Sequence, residues 1–237
     1  MASKQSYNAT LLFFVSASIL GLVSVALYIF SSSASADGFI YRKPVIGSIF
    51  MLICALGALA VVLPGQCNSI LSGRKNAGSF GLHSVSASAR SLKGHHYDCE
   101  GYAPHIVKIR DRTLCAACSG LFLGAIAAVI GTVAYFFLNV ELSQFGFSFL
   151  ITGIGLVALG FIQFRFPGLA RMLVNALFVV GAFLVLLAAD ALSMNLFFEL
   201  YVISLSLLWI LTRITLSQWD HSRICRSCTV DCELKKG

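Results

Sequence analysis

Six long apolar runs, parted by short polar breaks and one long polar loop, set the pattern of the chain. They cover approximately Thr10–Phe30, Val45–Leu63, Gly120–Asn139, Gly146–Phe164, Met172–Asp190 and Leu196–Leu216. Each reaches or nearly reaches the ~20 apolar residues that a helix needs to cross a hydrocarbon layer of about 30 Å. The runs are continuously apolar, whereas the strands of a membrane barrel alternate over about ten residues. The pattern therefore predicts an all-α membrane protein built as a bundle of six transmembrane helices.

Composition agrees, with 58% of the 237 residues hydrophobic and 11% charged, against about a quarter charged in a soluble domain. The charges also predict an orientation, because Lys and Arg near span ends are retained on the cytosolic side. With the N-terminus inside, 15 of the 17 basic residues fall on the cytosolic face and only Arg42 and Lys43 on the other. An N-in, C-in topology in the plasma membrane follows. The net charge of +7 is then a solvated positive-inside face beside the lipid bilayer, and nucleic acid is not an expected partner. Ala34-Ser35-Ala36 imitates a signal-peptidase site. The apolar run before it has 21 residues, longer than the 7–15 of a signal sequence, so the first span is expected to be retained.

Four segments result: a first hairpin (1–63), a cytosolic loop (64–118), a four-helix region (119–216) and a tail (217–237). The first half of the loop is rich in Ser and Gly and has no sustained apolar period. Its second half has spaced apolar residues but is too short to build its own core; below about 40 residues a metal, disulfides or a partner is usually required. Within the spans, Ser16, Ser18, Thr132, Thr152 and Asn175 are expected to bond to backbone or neighbouring helices. Asp190 and Glu199 are expected to be hydrated near the outer interface. The spans contain no histidine and no mid-membrane charged pair, which argues against a proton relay or a haem in the bilayer. Gly120-x-x-x-Gly124 reads as a packing contact.

The candidate chemistry lies in two clusters of Cys and His. The loop carries His95, His96, Cys99, His105, Cys115 and Cys118; the tail carries His221, Cys225, Cys228 and Cys232. Of the other cysteines, Cys54 lies within a span and reads as a small apolar residue, and Cys67 as a thiol outside the clusters. Each cluster contains a Cys-x-x-Cys knuckle, which turns tightly enough for two thiolates to bind one ion at about 2.3 Å, and enough further ligands to close a tetrahedron. Permanent disulfides are disfavoured in a reducing cytosol. One or two structural zinc ions are therefore the leading expectation. An iron–sulfur cluster on the tail's Cys-x-x-Cys-x-x-x-Cys, or thiol redox chemistry at Cys115 and Cys118, are the alternatives. Asp98 and Glu100 flank Cys99, but no H-E-x-x-H, deaminase signature or nucleophile elbow accompanies them. Thiolate-rich sites are usually closed, so catalysis is not expected.

The segment Cys115-Ala-Ala-Cys118-Ser-Gly120, running straight into a span and preceded by a Cys/His element, resembles the hallmark of an uncharacterised prokaryotic family of multi-pass membrane proteins, domain of unknown function 2085. The resemblance covers about a quarter of the chain. Here no Arg stands between the cysteines, and a cysteine-rich tail is added. It implies a metal knuckle at the membrane and no activity. The expectation is thus a six-span bundle bearing a small cytosolic Cys/His metal-binding cap, with a structural or regulatory role toward a cytosolic or membrane protein partner. A membrane redox protein and a transporter or metal sensor are the competing readings.

Overall fold

A computed structural model describes residues 2–31, 39–62, 100–109 and 112–227 of the chain. Six helices carry the fold: α1 (Ala2–Ser31), α2 (Arg42–Val62), α3 (Ala116–Thr132), α4 (Gly146–Phe161), α5 (Gly168–Ser193) and α6 (Leu196–Ser227). All six, α3 and α4 together with the short helical turns that adjoin them, are long and apolar enough to cross a membrane, which makes this an integral membrane protein. Between α2 and α3, a 3-10 turn (Glu100–His105) leads into two short antiparallel strands, β1 (Ile106–Ile109) and β2 (Arg112–Cys115). Their register pairs Ile106 with Cys115 and Ile109 with Arg112. This ribbon is an element that the apolar pattern of the loop does not reveal.

α5 is the axis of the bundle. α3 and α4 pack along it, α6 crosses it, α2 leans on α3, and α1 lies mainly against α6. Val185, Leu186, Phe178 and the α6 residue Trp209 are fully buried around it. Lipid tails are as apolar as leucine, so association in a bilayer relies on close packing more than on the hydrophobic effect. Gly120 and Gly124 meet that need. A Cβ at Gly120 would overlap the Met172 carbonyl of α5, and one at Gly124 the Ala176 carbonyl. Of the polar residues in the spans, Ser18 of α1 bonds Thr212 of α6 at 2.7 Å, and Thr132 donates to the Ala128 carbonyl at 2.7 Å.

Several helices outrun their apolar stretches. α3 begins at Ala116, ahead of Gly120, and α5 at Gly168, ahead of Met172. α6 runs unbroken through Ser227, so the first part of the expected tail, including His221, is helical. Hydropathy falls at a charged residue, but backbone hydrogen bonding continues through it when the side chain is paired against a neighbour. At the far end of α3, Val133–Phe137 widens into a π turn, closed by the Leu138 amide donating to the Val133 carbonyl at 3.0 Å.

Gly120→Ala should lower the melting temperature in detergent, since overpacking costs typically about 1–3 kcal/mol. Gly57→Ala, where an added Cβ meets nothing within 4 Å, should leave stability unchanged or raise it by up to about 1 kcal/mol. Equal responses of the two variants in a thermal melt would refute the close contact between α3 and α5.

Candidate functional site

The ribbon sets Cys115 and Cys118 at the start of α3. Cys115 ends β2 in an extended conformation and is also the N-cap of α3, so Cys118 occupies the third helical position. The N-cap and third positions are the pair whose side chains meet in a capping box, so both cysteines face the first turn together. That turn carries the positive end of the helix dipole, which favours thiolate. Both cysteines are half-buried.

His105, one residue before β1, is buried at 5% exposure within a polar network. Arg171, in the first turn of α5, is its centre. The Arg171 Nε donates to the Gln163 and Phe166 carbonyls at 3.2 and 3.1 Å, in the turn that links α4 to α5. Its Nη2 donates to Asp220 of α6 at 3.0 Å, and its Nη1 lies against both ring nitrogens of His105, 3.0 Å from Nε2 and closer to Nδ1. A guanidinium can only donate, so a His105 ring nitrogen is the acceptor; the Nε2 also lies 3.6 Å from Asp220 Oδ2. Asn175, one turn along α5, donates to the Arg171 carbonyl at 2.7 Å and accepts from Arg213 Nε and Nη2 at 2.9 and 2.7 Å. Arg213 Nη2 also reaches Gln163 Oε1 at 3.3 Å. The ring of His221, on α6 beside Asp220, lies 5.3 Å from that of His105.

Of the ten residues predicted as metal ligands, His105, Cys115, Cys118 and His221 are thus gathered at one end of the bundle. His95, His96, Cys99, Cys228 and Cys232 lie outside the described residues, as does the side chain of Cys225, whose backbone continues α6. Among the described residues, no three His, Cys, Asp or Glu side chains are arranged to hold a metal ion.

Two expectations require correction. Arg171 and Arg213, read as part of a solvated basic face, are 4% and 6% exposed. Asp190 and Glu199, expected to be hydrated, are 2% and 0% exposed. Arg42, at the start of α2, reaches both carboxylates through Nη1, contacting Asp190 Oδ1 at 3.0 Å and donating to Glu199 Oε1. Tyr135, turned inward on the π segment, donates to Asp190 Oδ2 at 2.7 Å. Lys43 Nζ stands 3.9 Å from the same oxygen and 4.6 Å above the Tyr135 ring. A single sequence hides such pairs because the partners come from different helices. A partial signal existed on α6, where Arg213 and Asp220 are seven residues apart and so share a face, and on α5, where Arg171 and Asn175 are four apart.

Asp220→Ala should destabilise strongly, by about 3–5 kcal/mol, because it leaves the Arg171 charge buried without its carboxylate. The double change Arg171→Met with Asp220→Leu should recover much of that loss. Thermal unfolding in detergent reads both, and a double variant no more stable than the single one would contradict the pairing. Comparison with models of protein families, with curated proteins and with solved structures finds no match to this chain, so a functional reading rests on its own residues.

Proposed function

We propose that this chain is a plasma-membrane protein whose 64–118 loop and C-terminal segment form one zinc-stabilised cap on the cytosolic side, acting as a structural or regulatory interaction module within a membrane complex. The observation that carries the reading is the approach of His105 to His221, which brings the segment bearing the first ligand set against the helix bearing the second. Orientation rests on the distribution of positive charge.

The donor chemistry suits zinc unequally. Cys115 and Cys118 stand on one helical turn, and with Cys99 and either His95 or His96 they make a thiolate-rich, closed set of the structural kind. His221 and Cys225 are four residues apart on α6, hence on one face, and Cys228 and Cys232 complete a second set. His105 fits poorly. Its rings nitrogens are turned to Arg171 and Asp220, and the Arg171 cation would repel an arriving metal. His105 then acts as the strut that seats the cap on α5 and α6. Bound zinc would supply folding energy to a segment with no core of its own. The competing readings are a redox protein with an iron–sulfur cluster or reactive thiols, and a transporter or metal sensor.

Elemental analysis of the purified protein should give about one or two zinc ions per chain. Cys115→Ser should lower that number, while His105→Ala should keep the zinc and lose thermal stability. Zinc far below stoichiometry without iron would overturn the metal cap, and iron with visible absorbance that bleaches on reduction would transfer the assignment to a cluster.

A further inference from the structure

At the opposite end of the bundle, a cavity of about 450 Å³ opens beside the buried Arg42 cluster, within the usual 300–1,000 Å³ of small-ligand sites. Arg42, Lys43 and Asn139 supply its polar lining, and Ile40, Phe137 and Met194 part of its apolar lining. Asp190 and Glu199, which neutralise Arg42, do not line it. The cavity is thus lined by two basic residues and an asparagine and by neither carboxylate.

The hydrogen bonding of Arg42 leaves one edge available. Both carboxylates contact the same nitrogen, Nη1. The buried side-chain nitrogens without a hydrogen-bond partner, among the described residues, are those of Gln163 and Trp209, so Nε and Nη2 of Arg42 are not sealed in the protein. Those two N–H groups form the planar fork that matches a carboxylate or phosphate edge. Arg42 itself is held by Asp190 and Glu199, so the fork is fixed before any ligand arrives. Lys43, with 35% of its side chain exposed, adds a second cation. Asn139, in a left-handed conformation with φ of 51°, stands at the same cavity.

Location selects among anions. Arg42 opens one candidate span and Phe137 closes another, so the cavity lies where hydrocarbon gives way to head groups. Ile40, 84% exposed, and Phe137, 39% exposed, give it an apolar flank that a free inorganic ion would not use. We propose that this cavity binds the phosphate of an anionic phospholipid, with Arg42 and Lys43 on the phosphate oxygens and the glycerol and upper acyl carbons along Ile40 and Phe137. The site is separate from the metal cap and independent of it.

Native mass spectrometry of the full chain in neutral detergent, titrated with phosphatidylglycerol or phosphatidylcholine, tests this. One phosphatidylglycerol per chain should be retained in preference to phosphatidylcholine. Lys43→Gln should weaken that binding about tenfold, the loss expected for one charge-assisted contact, and Lys43→Arg should restore it. Arg165→Gln, an exposed basic residue at the other end, should leave it unchanged. An unaltered melting temperature of lipid-free Lys43→Gln protein establishes that the variant is folded; Arg42 is left intact because its loss strands two buried carboxylates. Equal retention of both lipids, or undiminished phosphatidylglycerol binding by Lys43→Gln, would overturn the proposal. Displacement of the lipid by millimolar inorganic phosphate would assign the site to a free anion and equally overturn the lipid.

Discussion

The fold depends on the need to neutralise charge at both ends of a helix that lies inside the bundle. α5 is surrounded by its neighbours, so Arg171 near one end and Asp190 near the other are withdrawn from bulk water. A buried ion is tolerable only when paired and hydrogen-bonded. Asp220 and two backbone carbonyls do this for Arg171, and Arg42 and Tyr135 do it for Asp190. Along α5 these residues are 19 positions apart, about 28 Å at 1.5 Å per residue, close to the thickness of a hydrocarbon layer. Two polar tiers bracket an apolar midsection that includes Trp209, Phe178 and Leu186.

Much of the architecture was legible because it follows from one-dimensional rules. Continuous apolar length reports a membrane helix whatever its neighbours, so all six spans were found. Gly120 and Gly124 were read correctly as packing, since a four-residue spacing puts both on one face. The helix ends escape the same rules for a physical reason. Hydropathy charges every Arg or Asp the cost of leaving water, while the real cost depends on the partner it meets. Arg42 and Glu199 are 157 residues apart, and nothing local to either announces the other. Hence, residue by residue, Asp190, Glu199, Arg171 and Arg213 read as hydrated surface groups. The sequence groups the candidate ligands only along the chain; the orientation of His105 toward Arg171 depends on how the segment before the ribbon lies against α5 and α6.

The two ends use similar ingredients differently. At one, a short ribbon carries a histidine into the network, and the Cys-x-x-Cys turn follows within the same few residues. A shift of the ribbon would therefore strain or release the contacts among His105, Arg171 and Asp220. At the other, the charged groups come directly from helix ends and a π turn, with no inserted segment. The first arrangement couples a loop to the bundle; the second braces helices α2, α3, α5 and α6 against one another.

The position of α6 in both networks bears on the order of assembly. A chain is made from its N-terminus, and its earlier parts enter the membrane first. Arg42 and His105 are synthesised well before Glu199 and Asp220 exist to meet them. Until the last helix arrives, Arg42 lacks Glu199 and Arg171 lacks its only carboxylate, Asp220. Neither tier is complete without α6, which supplies Glu199 to one and Asp220 to the other.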